Sequence, residues 1–104
     1  MLFRSRLGLE SLDFIKMDVD GFECAVLRGG MQTLREFRPT MILELSPEVL
    51  VEHGGSLDEL IQLLSTAGYQ IVSESGTVAL PMDSIRLSRM IPRAGGVNAL
   101  ALPR

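Results

Sequence analysis

The chain has 104 residues, a net charge of −3 and a hydrophobic fraction of 46%. A chain of this length builds one modest core, so residues 1–104 are expected to form a single domain. Its acidic balance gives no electrostatic reason to bind nucleic acid or an anionic membrane.

Cysteine content and hydropathy bear on the compartment. The only cysteine, Cys24, cannot form an internal disulfide and favours a reducing compartment, so a cytoplasmic location is expected. No apolar run reaches the roughly 18 residues needed to span a bilayer, so no membrane partner is expected.

After a lead-in of twelve residues, the first predicted element is a strand, Asp13–Asp18. Its apolar run is broken only by Lys16, a pattern typical of a strand covered on both faces in a parallel sheet. Gly21 allows a sharp change of direction. A helix is predicted to begin at Phe22 and to end at Gly29–Gly30, a pair suited to a helix C-terminus.

A second helical piece over residues 31–37 is predicted to end before Pro39, because the residue preceding a proline avoids helical geometry. The apolar run Thr40–Leu45 predicts a second buried strand. Strand, helix and strand in this order indicate a βαβ unit with parallel strands and a right-handed crossover. Residues 46–50, Ser-Pro-Glu-Val-Leu, predict a short helix.

A clearer helix start follows at Ser56, where the hydroxyl of Ser56 and the carboxylate of Glu59 have the spacing of a capping box. This helix is predicted to stop at Gly68. Two further strands are predicted at Tyr69–Ser73 and Val97–Leu102.

The segment between these last two strands is too long for a plain loop. A short strand is predicted over residues 77–80 and a helical turn over residues 85–90.

Carboxylates cluster where the first strand turns into its helix: Asp18, Asp20 and Glu23, with Glu44 at the end of the second strand. Ligands of open α/β sheets sit beyond the carboxyl ends of the strands. Carboxylates there can accept a proton from a hydroxyl, bind a hard cation such as Mg²⁺, or hydrogen-bond a cofactor. The alternative is structural: Asp18 or Asp20 caps the helix and Glu23 complements its dipole.

Two other side chains are candidates for chemistry. Cys24 is interpreted as a small core residue rather than a nucleophile, because no second thiol or nearby histidine is evident. His53 lies in a glycine-rich loop and is interpreted as ordinary surface, with the role of a general base as the alternative.

One stretch resembles a known family. It runs Asp13-Phe-Ile-Lys-Met-Asp-Val-Asp-Gly-Phe-Glu23, continues with Val26-Leu-Arg-Gly-Gly30, Leu34 and Arg38-Pro39, and ends with a strand closing on Glu44. This order resembles the FkbM-type methyltransferases, which commonly read D-F-I-K-x-D-x-E-G-x-E, x-x-V-L-x-G-A, R-P and a strand ending I-E. The match covers residues 13–44. Asp20 departs from it, standing where the family usually has Glu, and Gly30 stands where it often has Ala.

The resemblance implies an α/β, Rossmann-like class I fold with sheet order 3-2-1-4-5-7-6, which uses S-adenosylmethionine to methylate mainly hydroxyl oxygens. The strands predicted here would be the fourth, fifth, sixth and seventh: Asp13–Asp18, Thr40–Leu45, Tyr69–Ser73 and Val97–Leu102. In a complete fold of this class, a G-x-G-x-G loop and an acidic residue after the second strand of the sheet hold the cofactor. This chain contains no counterpart of either. The chain is therefore similar only to the C-terminal half of such a domain.

The resemblance also implies roles for the carboxylates. Asp18, Glu23 and Glu44 would be catalytic, Asp20 would contact the cofactor, and Asp18 with Asp20 could hold Mg²⁺. The acceptor would be a hydroxyl of a small molecule or a glycan.

Without the glycine-rich half, the chain is expected to behave as a truncated fragment, inactive alone and binding S-adenosylmethionine weakly. The strand Asp13–Asp18 would become an exposed edge that promotes self-association or pairing. The alternative is a non-catalytic α/β interaction module derived from a methyltransferase.

Overall fold

The computed structural model describes residues 14–17, 19, 21–92 and 95–104. Its strands are β1 (Phe14–Met17), β2 (Thr40–Leu45), β3 (Tyr69–Ser73) and β4 (Val97–Pro103). Its helices are α1 (Glu23–Phe37), α2 (Pro47–Glu52), α3 (Leu57–Thr66) and α4 (Ser84–Ser88). The four main predicted strands are therefore all present. Asp13 and Asp18, the predicted ends of the first strand, lie outside the described residues, and the ends of the other three strands differ from the predicted ones by at most one residue.

The strands form one mixed sheet in the order β1-β2-β4-β3. β1 and β2 are parallel and joined through α1, which confirms the predicted parallel βαβ unit. β4 is antiparallel to both β2 and β3. This α/β architecture is compatible with a partial Rossmann-like methyltransferase fold.

The sheet has one buried face and one open face. Alternation along β1 and β2 sends Ile15, Met17 and Leu43 into the core, which lies between this face and the helices. On the opposite face Phe14 is 53% exposed, and Lys16 is exposed as well. The prediction that the first strand is covered on both faces is therefore wrong for the described residues. The charged Lys16 already indicates an exposed face in the sequence, because a charged side chain rarely occupies a fully covered position.

Helix α1 runs unbroken from Glu23 to Phe37, so the predicted end at Gly29–Gly30 is wrong. Each glycine costs a helix roughly 0.5–1 kcal/mol relative to alanine. Leu27, Gly30 and Leu34 are all buried along one stripe of the helix. Packing of that stripe outweighs the local cost, and the small Gly30 lies at a buried position of the stripe.

The end of α1 before the proline is as predicted. The next residue, Arg38, adopts the left-handed conformation with φ 51° and donates its backbone N–H to the carbonyl of Leu34 over 3.0 Å. Its guanidinium donates to the carbonyls of Ala67 at 2.5 Å, Gly68 at 2.9 Å and Arg104 at 3.1 Å. One side chain thus joins the ends of α1 and α3 to the last residue of the chain.

The start of α3 confirms half of the predicted capping box. The Ser56 hydroxyl accepts the backbone N–H of Glu59 at 3.0 Å. The Glu59 carboxylate does not return to Ser56 but pairs with Arg28 on α1. The predicted bond from the backbone N–H of Ser56 to the Glu59 carboxylate is therefore wrong, because Arg28 on the neighbouring helix competes for that carboxylate. The predicted stop at Gly68 is confirmed by its positive φ of 82°.

The region after β3 contains the predicted strand and the predicted helical turn, both shorter than predicted. A single antiparallel bridge joins Val72 to Ala79, where a strand over residues 77–80 was predicted. The predicted helical turn is α4, capped by Asp83, whose carboxylate accepts the N–H groups of Ile85 and Arg86. None of the helices in the described part of the chain is both long and apolar enough to cross a bilayer.

Candidate functional site

A tight turn joins β1 to α1 at the carboxyl end of the sheet. Gly21 has a φ of 97°, which side chains other than glycine rarely adopt. The N–H of Phe22 donates to the carbonyl of Val19 over 3.1 Å, and α1 starts at the next residue, Glu23. The predicted sequence of strand, glycine turn and helix is therefore confirmed.

Two of the predicted site residues, Asp18 and Asp20, lie outside the described residues. Their predicted roles as base, cofactor contact and Mg²⁺ ligands remain predictions. Within the described ranges, no group of three His, Cys, Asp or Glu residues is placed so that it could hold a metal ion.

Glu23 is the first residue of α1 and only 4% exposed. A carboxylate at a helix N-terminus is stabilised by the helix dipole. Little of its surface is open to an incoming acceptor. The predicted catalytic role of Glu23 remains a prediction, and its burial favours a supporting role at the turn over direct contact with an acceptor.

Glu44, by contrast, is exposed on the open face of the sheet near the end of β2. The backbone of Gly96, just before β4, passes against its side chain. A Cβ built at Gly96 would lie 2.7 Å from Glu44 Oε1 and 3.1 Å from its Cγ. The Glu44 carboxylate can take this position only because residue 96 has no side chain.

An open groove of about 210 Å³ adjoins Glu44. It is lined by Lys16, Met17, Ile42, Leu43, Glu44 and Asn98. Asn98 was not among the predicted site residues, and it lies directly opposite Glu44 in the β2·β4 ladder. No local signal could have found it, because the pairing of β4 with β2 is decided by the tertiary fold.

His53 also lies at the turn. Its ring stacks on that of Phe22 with centroids 4.2 Å apart. A Cβ at Gly21 would be 2.5 Å from His53 Cδ2 and 2.6 Å from the carbonyl oxygen of Val49. The exposure expected for His53 is confirmed. Its position beside the acidic turn was not expected, because it depends on how α2 folds back onto the turn.

Cys24 is a core residue, as predicted, and is 2% exposed. Its thiol donates to the carbonyl of Ser56 at 3.6 Å, and a Cβ at Gly55 would lie 2.9 Å from Sγ. Burial raises the pKa of the Cys24 thiol above its ordinary value of 9.0, so the thiolate needed for nucleophilic attack is disfavoured.

The glycine pairs do not form a cofactor-binding loop. Gly29–Gly30 lies inside α1, and Gly54–Gly55 lies between α2 and α3. Neither pair follows a strand, as a glycine-rich loop that cradles a nucleotide would. The described residues therefore do not fit a complete S-adenosylmethionine site.

Comparison with known proteins identifies the family. The model of the methyltransferase FkbM domain matches residues 1–71, which is 71 of the 104 residues and more than half of the chain. This span extends beyond residues 13–44 on both sides. No curated protein and no solved structure matches the chain significantly. The chain therefore belongs to the FkbM methyltransferase family.

Proposed function

We propose that this chain forms the acceptor side of an S-adenosylmethionine-dependent methyltransferase that methylates a hydroxyl oxygen. The observation that supports this most is the parallel pairing of β1 with β2, in which Met17 lies opposite Leu43. Parallel strands end at the same edge of the sheet, so the turn after β1 and Glu44 of β2 share one edge. Family membership supplies the methyltransferase class.

We further assign β1, β2, β4 and β3 to the fourth, fifth, seventh and sixth strands of a class I methyltransferase sheet. The observed order β1-β2-β4-β3 and the antiparallel setting of β4 support this correspondence. It places the edge of β1 that has no neighbour in the described sheet where the first strand of a complete sheet would pair.

In this proposal Asp18 is the base that accepts the proton of the acceptor hydroxyl, which leaves the oxygen as the nucleophile. Glu23 holds the turn from its buried position, and Glu44 binds the acceptor from β2. Asp20 is assigned to the cofactor side. A bound Mg²⁺ would be held by Asp18 and Asp20, both oxygen ligands of the kind this ion prefers.

Cofactor binding by these 104 residues alone is expected to be weak or absent, because the glycine-rich loop that holds the methionine and ribose parts has no counterpart among them. Isothermal titration calorimetry of the chain with S-adenosylmethionine measures this directly. A dissociation constant in the micromolar range would contradict the proposal.

The role of Asp18 is tested in an active assembly that contains the glycine-rich half. Asp18→Asn should abolish turnover and leave the circular dichroism spectrum unchanged. Glu36→Gln, at an exposed position of α1, is the matched control and should keep full turnover. Turnover retained by Asp18→Asn would reject the role of Asp18 as the base.

The proposed partners are a hydroxyl acceptor and a second polypeptide segment at the β1 edge. Within the described sheet, β1 pairs with β2 alone. Unpaired backbone groups beside the exposed Phe14 favour pairing with another strand. The buried thiol of Cys24 fits a reducing compartment, so we propose the cytosol.

A second candidate is a non-catalytic α/β interaction module. The lack of a glycine-rich loop favours it, and so does the open sheet face. The two candidates differ in one measurable respect. A module would bind its partner equally well with Asp18→Asn, and no assembly containing it would transfer a methyl group.

A further inference from the structure

The groove beside Glu44 lies on the open face of the sheet. Two cross-strand pairs frame it: Lys16 opposite Ile42 in β1·β2, and Glu44 opposite Asn98 in β2·β4. All four side chains are on the same face, because strand alternation repeats every second residue. The groove therefore adjoins the edge at which the proposed acceptor would bind.

Within the described ranges, the polar groups of the groove are free to bind a ligand. Among the described residues, no side-chain hydrogen bond or ion pair occupies Lys16, Glu44 or Asn98. The ammonium of Lys16 only donates, the carboxylate of Glu44 only accepts, and the amide of Asn98 does both. A ligand whose groups both donate and accept, as hydroxyls do, complements all three.

Charge and size narrow the ligand further. Lys16 and Glu44 carry opposite charges and leave the groove without net charge. An anionic ligand is attracted by Lys16 but repelled by Glu44, and a cationic ligand the reverse, so only an uncharged ligand avoids both repulsions. The volume of about 210 Å³ is below the roughly 300–1,000 Å³ of pockets that enclose drug-sized ligands. The half-buried Ile42 offers an apolar surface between the polar groups.

We infer that this groove binds a neutral, polyhydroxylated ring, such as a single sugar residue, with Asn98 and Lys16 as specificity-determining residues beside Glu44. The inference rests on the proposed function in one respect, since it takes the groove ligand as the methyl acceptor. The binding itself requires neither the cofactor nor turnover.

A substitution at Gly96 can test the role of the Glu44 carboxylate without changing any residue that lines the groove. A Cβ at position 96 would lie 2.7 Å from Glu44 Oε1, the far end of a flexible side chain. Gly96→Ala should therefore displace the carboxylate while the chain stays folded. Gln70→Ala is the matched control, because Gln70 is an exposed amide in β3, the strand farthest from β1 in the sheet.

The test is a titration of the full ¹⁵N-labelled chain with methyl α-glucoside, followed by two-dimensional NMR. Saturable shifts are expected for the side-chain NH₂ of Asn98 and the backbone amide of Glu44. Asn98→Ala and Gly96→Ala should each weaken binding about three- to tenfold, as expected for losing one hydrogen bond, and Gln70→Ala should leave it unchanged.

Glucose 6-phosphate and glucosamine are the charged comparison probes, and both should bind more weakly than the neutral glycoside. Tighter binding of either would overturn the inference about charge. The absence of saturable shifts at the groove with every probe would overturn the site itself. Neither result bears on Asp18 or on methyl transfer, so the failure of this inference and of the proposed function can be told apart.

Discussion

The ring of His53 stacks on the ring of Phe22, with centroids 4.2 Å apart and planes inclined by 33°. Phe22 immediately precedes α1 and His53 immediately follows α2, so this contact fixes the loop after α2 on the turn after β1. Gly21 lies between the two segments at a distance that admits no side chain. A substitution at Gly21 therefore tests the packing of this turn.

Gly21→Ala should lower the free energy of unfolding by about 1–3 kcal/mol, because alanine is strained at φ 97° and its Cβ would meet His53 and the carbonyl of Val49. Gly29→Ala is the matched control. Gly29 lies inside α1, and a Cβ added there would meet no neighbouring atom within 4 Å, so alanine should raise the free energy of unfolding by about 0.5–1 kcal/mol. Urea denaturation measures both, and equal effects of the two variants would contradict this packing.

Arg38→Ala should lower the free energy of unfolding by about 1.5–3 kcal/mol, because the guanidinium binds carbonyls at the end of α3 and at Arg104. It also lies 5.3 Å from the centre of the Tyr69 ring. Arg38→Lys should recover only part of the loss, since one ammonium cannot reproduce the planar fork of donors.

The control for Arg38 is Arg35→Ala, an exposed position in the last turn of α1. This variant should stay close to the wild-type stability in thermal and urea unfolding. A loss as large as that of Arg38→Ala would mean that general charge, rather than the carbonyl contacts, stabilises this region.

Alkaline pH should destabilise the fold. Burial raises the pKa of Cys24 above its ordinary value of 9.0, and burial raises the pKa of Tyr69 above 10.0 against the opposing effect of Arg38. The folded state therefore holds both protons more tightly than the unfolded state does. This contribution to stability is complete below about pH 9 and is lost as the pH rises through the folded-state pKa values.

Urea unfolding at a series of pH values between neutrality and strongly alkaline solution measures this dependence. The double variant Cys24→Ala with Tyr69→Phe should be less stable overall, since the Tyr69 hydroxyl donates to the Pro39 carbonyl at 2.5 Å. Its stability should fall less steeply above about pH 9 than that of the wild type. An unchanged slope would show that other groups dominate the alkaline transition.

β1, which has only β2 as a neighbour in the described sheet, should make the chain self-associate when it is made alone. Phe14→Lys should shift the chain towards the monomer, because a lysine on an exposed edge strand opposes strand pairing. Val51→Lys, which changes an equally apolar and 65% exposed position on α2, should not. Multi-angle light scattering at tens of micromolar distinguishes these outcomes, and a monodisperse wild-type monomer would contradict the prediction.

Local sequence patterns determined the order and nature of the elements. The apolar runs of β2 and β3 and the cap at Ser56 depend on residues close in the chain, and all three occur where predicted. The family could also be recognised locally, because its signature lies within residues 13–44 and the family model covers residues 1–71.

Contacts between distant residues were decided only by the tertiary structure. Helix α1 continues through the buried Gly30. The carboxylate of Glu59 pairs with Arg28 instead of capping its own helix, and the pairing of β4 with β2 places Asn98 opposite Glu44. Each outcome depends on a neighbour from another element. Hydrophobic periodicity and capping preferences describe one segment at a time, so they carry no information about which side chain that neighbour supplies.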